Sequence, residues 1–150
     1  MPEKKYQVSA HTRYFIRMHI VWIVKRRREI LDNQIIAQRL TEVLNEIGNN
    51  HEIKLFEVGT DKDHLHIFCE TLPKMSPAWI VNKLKGVSAH TLRKEFPGLK
   101  TGYLQGALWG TGYYAATVGC QNNAAAVRAY VRLQGKKADI KNYKQIALFE

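Results

Sequence analysis

Between residues 14 and 24 apolar and polar positions alternate in part, along a stretch rich in β-branched and aromatic side chains. That pattern predicts a strand. Tyr14, Ile16, Met18, Ile20 and Trp22 fall on one of its faces, and Arg13, Phe15, Arg17 and His19 on the other. A basic run, Lys25-Arg26-Arg27-Arg28, follows. The period then changes. Ile36, Leu40, Val43, Leu44 and Ile47 recur at helical spacing behind a cap at Asp32 or Asn33. Gly48-Asn49-Asn50 is expected to end that helix. Residues 52–58 and 64–71 read as two strands of a hairpin around a turn at 59–63. Ser76 before Pro77 opens a second helix, which runs to about residue 96 and stops at Pro97-Gly98. A connection carrying Gly102, Gly106, Gly110 and Gly112 leads to a strand at 113–118. Asn122 or Asn123 then caps a last helix over 124–134.

The predicted order is β-α-β-β-α-β with a C-terminal helix. It implies an α+β fold of the ferredoxin-like (RRM-like) kind, an antiparallel sheet with its two main helices on one face. The other face is left open for a ligand, a partner or the last helix. One domain is expected over residues 1–150, with a core at about 13–137 and a basic tail at 138–150. A chain of 150 residues buries enough surface to need no staple. With 45% hydrophobic and 24% charged residues, wholesale disorder is excluded.

Charge changes the picture more than composition does. Twenty-three Lys and Arg against 13 Asp and Glu leave a formal net charge of +10, which argues for a polyanionic partner, nucleic acid or an anionic membrane surface. No apolar run approaches the roughly 20 residues of a membrane span. No basic amphipathic helix stands out for membrane binding, and no signal peptide is visible, so a cytoplasmic protein is expected. Cys69 and Cys120 form no CxxC pattern and are expected as free thiols.

Three features can carry chemistry. In His64-Leu65-His66-Ile67-Phe68-Cys69 the two histidines share a strand face, with Cα atoms about 6.6 Å apart. Neutral imidazoles that close can share a divalent metal, although two surface histidines on a half-buried strand would look the same. Tyr130 and Gln134 lie four apart on one face of the last helix. A phenol can serve as a nucleophile when an activated electrophile or a base is at hand, and it can equally be a core aromatic packed with Val127 and Val131. Basic residues (Arg17, Lys25, Arg27, Arg28, Lys85) and His19 are interleaved with Phe15, Trp79, Trp109, Tyr113 and Tyr114, a mixture that suits unpaired bases as well as a solvated basic face.

Taken in order, these stretches resemble a known family. The run from His19 to Leu31, His64-Leu65-His66, the run from Ile80 to Ser88 with Leu92 to Pro97, Leu108-Trp109 through Gly119, and Ala129-Tyr130-Val131-Arg132-Leu133-Gln134 are similar to TnpA-type single-tyrosine HUH transposases of bacterial and archaeal insertion sequences. REP-associated tyrosine transposases are relatives of that group. The resemblance covers about residues 13–137. It implies a prokaryotic enzyme that cleaves and rejoins single-stranded DNA at hairpin-bearing element ends through a 5′-phosphotyrosine intermediate. It further implies Tyr130 as nucleophile, His64, His66 and Gln134 as ligands of Mg²⁺ or Mn²⁺, and a homodimer whose tyrosine helices can complete the partner's histidine site. DNA contacts are expected at Arg17, His19, Lys25, Arg27, Arg28 and Lys85. Two departures stand out: Lys62-Asp63 where the family often has Pro-Asp, and Cys120-Gln121-Asn122-Asn123 where it often has a glycine. A domesticated nuclease acting on repetitive palindromes, and a non-catalytic single-stranded DNA- or RNA-binding module, are the alternatives.

Overall fold

A computed structural model describes residues 7–101 and 106–119. Two short strands, β1 (Gln7–Val8) and β2 (Arg13–Tyr14), pair antiparallel as a ribbon. The main sheet is built from β3 (Arg17–Ile23), β4 (Lys54–Asp61), β5 (His64–Glu70) and β6 (Tyr114–Thr117), in the order β4-β5-β3-β6, with every neighbouring pair antiparallel. Helices α1 (Gln34–His51) and α2 (Pro77–Glu95) complete the α+β architecture. The expected first strand is divided: Arg13 and Tyr14 pair with β1, and the main ladder starts at Arg17. The last expected helix, with Tyr130, Gln134 and Cys120, lies outside the described residues.

Alternation along the central strands sorts their side chains between two faces. Met18, Ile20 and Trp22 from β3 and Leu65, Ile67 and Cys69 from β5 join one core with Leu40, Val43, Leu44 and Ile47 of α1 and Ile80, Val81, Leu84 and Leu92 of α2. Both helices therefore cover the same face. Each fully buried large side chain in this layer contributes roughly 1.5–3 kcal/mol relative to exposure.

The second face is not open. Arg17, His19, Val21 and Ile23 of β3 and His64, His66, Phe68 and Glu70 of β5 are all buried, none more than 9% exposed. Three of these are apolar. Val21 and Ile23 pack with Tyr114, and Phe68 stacks on Phe56 at 5.1 Å between ring centroids. A strand with apolar residues on both faces is a two-sided core element, so the partial alternation read along residues 14–24 understated how much of β3 is covered.

Local signals set the helix limits. Asn33 Oδ1 accepts the Ile35 N–H at 3.0 Å at the start of α1, and Ser76 Oγ accepts the Trp79 N–H at 3.1 Å ahead of Pro77 at the start of α2. Helix α1 runs through Gly48-Asn49-Asn50, where termination was expected, and ends after His51. Gly48 instead permits close approach: a Cβ there would sit 2.6 Å from the Ile53 carbonyl oxygen. The left-handed residue that closes the helix is Glu52, at φ 59°. A non-glycine residue in that region costs roughly 1–2 kcal/mol, so Glu52→Gly is expected to stabilise the fold by about 1 kcal/mol. A rise in the urea midpoint at unchanged slope checks this.

The two helices are clipped on their outer side. Arg39 Nε and Nη2 donate to the two Glu95 carboxylate oxygens at 2.7 and 2.8 Å. Arg39 holds the Glu95 carboxyl below its ordinary range. A depressed carboxylate stabilises above its unfolded pKa and loses that contribution as pH falls, but an exposed pair such as this contributes little. No helix among the described residues is long and apolar enough to cross a membrane.

Candidate active site on the second sheet face

Strand β5 starts at His64, directly after the turn at Lys62 and Asp63. The turn is pinned on both sides: the Val24 N–H donates to the Asp63 carbonyl at 2.8 Å, and the Leu31 N–H donates to the Lys62 carbonyl at 2.9 Å. Asp63 is thereby held where its Oδ1 meets His64 Nδ1 at 2.9 Å. A carboxylate at Nδ1 favours the tautomer with its proton there, which leaves the Nε2 lone pair for another partner.

His66 follows two residues on, on the same face. It stands opposite Val21 on β3 and Gly59 on β4. The His19 ring meets it edge-on at 6.0 Å, and Tyr114 of β6 meets His19 at 6.3 Å. The buried His64, His66 and His19 and the half-buried Tyr114 thus line one band across β5, β3 and β6. Among the described residues no three His, Cys, Asp or Glu side chains form a group that could hold a metal ion. His64 and His66 are two nitrogen donors, one of them braced by a carboxylate. That donor set fits a divalent ion once a further ligand joins it, and Gln134, the ligand named from sequence, lies outside the described residues along with Tyr130.

Cys69, near the other end of β5, points into the helix-side core. Burial pushes its thiol up to about 12, so it stays protonated and is no candidate nucleophile.

The basic residues divide into two sets. Arg17 and His19 are buried. The Arg17 guanidinium lies 4.6 Å from the Phe15 ring and 4.8 Å from the Phe56 ring, with Nε 3.5 Å from Glu70 Oε2. Lys85 is half-buried, and its ammonium donates to the carbonyls of Gly110 and Gly112 at 2.7 and 2.8 Å. It fastens α2 to the connection that precedes β6. Trp109, read from sequence as a base-stacking aromatic, is buried edge-on to Trp22 and donates from Nε1 to Ser88 Oγ at 3.1 Å. Neither the Lys85 clasp nor the Ser88–Trp109 bond has a signal in sequence spacing.

Lys25, Arg27 and Arg28 make up the second set. They form a turn off the end of β3, with Arg27 exposed and the other two half-exposed. Arg26 and Arg27 both take positive φ, 57° and 52°. Two consecutive left-handed non-glycine residues store roughly 1–3 kcal/mol each, a cost often found where a turn serves function. Ile23 pairs with His64, so this basic turn adjoins the histidine end of the site.

Residues 12–134 match the family described as "Transposase IS200 like". The chain is 32% identical over 125 residues to the transposase for insertion sequence element IS200 of Salmonella typhimurium, covering 83% of this chain and 80% of that protein. It is 28% identical over 124 residues to the ISDra2 transposase TnpA of Deinococcus radiodurans, covering 83% and 87%. Among solved structures, a candidate transposase from Deinococcus radiodurans superposes with a TM-score of 0.70 at 26% identity, covering 85% of this chain and 97% of that one. A REP-associated tyrosine transposase bound to a REP hairpin shares the fold, with a TM-score of 0.53 at 16% identity over 83% of this chain and 68% of that one. The match across most of the chain, at this level of identity, places it: the protein belongs to the IS200-like transposase family.

Proposed function

We propose that this transposase cleaves and rejoins single-stranded DNA at insertion-sequence ends, with Tyr130 as nucleophile and a divalent metal on His64, His66 and Gln134. The observation that carries the reading is the histidine pair itself: two buried imidazoles on one strand face, the first braced at Nδ1 by Asp63. The antiparallel order β4-β5-β3-β6 with both helices on one face supports a ferredoxin-like reading of the fold. That arrangement leaves the histidines on the face away from the helices.

When bound there, Mg²⁺ or Mn²⁺ supplies Lewis-acid polarisation of the scissile phosphate and orients it. His64 and His66 would hold the ion through neutral ring nitrogens, and the Gln134 side-chain oxygen would complete the protein's share. Lys25, Arg27 and Arg28, beside the histidine end, hold the phosphate backbone and fix its register. Tyr130 Oη attacks the phosphorus in line. The bond from phosphorus to O3′ breaks, the phenol proton is lost, and the departing oxygen is protonated to a free 3′-OH. A 5′-phosphotyrosyl link remains. It keeps the reactivity of a phosphodiester, so attack by a later 3′-OH restores Tyr130 and joins a new junction without ATP. Positioning and charge stabilisation supply the remaining rate, as in other phosphoryl transfers. The working form is a homodimer in which the tyrosine helix of one subunit can serve the histidines of the other.

The test is direct. Single-stranded oligonucleotides carrying candidate element ends are incubated with the protein and Mn²⁺, then run under denaturing conditions. A covalent protein–DNA band is expected, with none from duplex DNA. Metal-independent binding without a covalent product would favour the non-catalytic module. Asp63→Asn bears on the metal: it should keep the fold but weaken Mn²⁺ binding by roughly 10- to 100-fold, as outer-sphere partners of metal-bound histidines do. Titration followed by the Mn²⁺ EPR signal measures it.

A further inference from the structure

Gly59 sits in the interior of β4. A glycine there weakens a strand, because it has no side chain to pack and more freedom to lose. It needs a reason. Backbone conformation is not the reason, since Gly59 is absent from the residues with positive φ. The reason lies across the ladder. Gly59 pairs with His66, so side chains at the two positions project to the same face. A Cβ built on Gly59 would overlap Nε2 and Cδ2 of the His66 imidazole and lie 2.8 Å from its Cε1. The ring occupies space that exists only because residue 59 has no side chain. On its other flank, β3 presents Val21 opposite His66 and the His19 ring 6.0 Å away. A side chain at 59 would therefore drive the imidazole toward these groups and change where its nitrogens point relative to His64.

We infer that Gly59 is a positioning residue of the active site: its missing side chain forms the slot that sets the His66 imidazole at the angle needed to share a ligand with His64. This rests on the metal-site reading above, and the test separates the two. Four proteins are compared: the parent, Gly59→Ala, His66→Ala and the double variant. Alanine in a strand is ordinarily at least as good as glycine. With the imidazole present, Gly59→Ala should lower the Tm by several degrees; with His66→Ala in the background, the same change should leave the Tm unchanged or raise it. If Gly59→Ala fails to fold and the double variant folds, that is the same coupling in its extreme form. An equal loss in both backgrounds, including failure of both to fold, would overturn the slot.

The second readout is Mn²⁺ binding by EPR, without DNA. Gly59→Ala should bind roughly 10- to 100-fold more weakly than the parent, as misoriented ligands do. Parental Mn²⁺ affinity in Gly59→Ala would overturn the positioning role alone. A parent that binds no Mn²⁺, with the thermal coupling intact, would overturn the metal reading and the positioning role with it, leaving only a packing contact.

Discussion

Tyr130→Phe is expected to abolish the covalent protein–DNA adduct while single-strand binding persists. The substitution removes one oxygen and keeps the ring. Phosphoryl transfer to the protein needs that oxygen, since it forms the new bond to phosphorus. Removal of a covalent nucleophile typically lowers the chemical step by on the order of 10⁴–10⁶-fold. Affinity should change little, because the phosphate contacts proposed for Lys25, Arg27 and Arg28 would supply most of the binding and the phenol would add little to it. Single-turnover cleavage and fluorescence anisotropy, measured on the same oligonucleotide, separate the two effects. A variant that still forms the adduct contradicts the assignment of Tyr130.

His64→Ala and His66→Ala are expected to have the second largest effect. Each removes one of the two nitrogen donors of the proposed metal site, where an ion would supply several kcal/mol of transition-state stabilisation. A loss of about 4 kcal/mol corresponds to roughly 10³-fold in rate. The double variant should be little worse than either single one, because groups that act as a unit do not add. Binding should again change modestly and keep its salt dependence, which follows from the phosphate contacts. His64→Ala also strands the Asp63 carboxylate that now meets Nδ1 at 2.9 Å. Its thermal stability should be measured beside its rate, so that lost chemistry is not confused with lost fold. Near-parental cleavage by either variant would remove the metal site from the mechanism.

Much of the architecture was legible in the sequence because it rests on local periodicity. The 3.6-residue recurrence from Ile36 to Ile47 placed α1, and the Ser76-Pro77 signature placed the start of α2. The histidine pair was legible for a similar reason, since residues two apart on a strand share a face. What escaped depends on tertiary context. Gly48-Asn49-Asn50 carries the composition of a helix stop, yet α1 passes through it, because Gly48 is needed for close approach to Ile53 and the left-handed turn falls on Glu52. Arg17 and His19 have the composition of a nucleic-acid surface, yet β3 is covered on both faces and Arg17 is stacked between Phe15 and Phe56. Lys85 looks like a phosphate contact in one dimension, while its ammonium is held by two carbonyls 25 and 27 residues downstream. Gly59 has the composition of a turn, and the turn was expected at 59–63, yet β4 runs on to Asp61 and the role of Gly59 is set by a ring on the neighbouring strand.

The central claim is that DNA becomes linked to one particular tyrosine. Tyr114 makes the question sharp, since it lies on the histidine face, 6.3 Å from His19. The most direct measurement is to trap the adduct with a single strand labelled at its scissile phosphate, digest the protein and map the labelled peptide by mass spectrometry. The prediction is one labelled peptide, modified at Tyr130 through a 5′-phosphate. A label on Tyr114, on any other residue, or on no residue at all would contradict it.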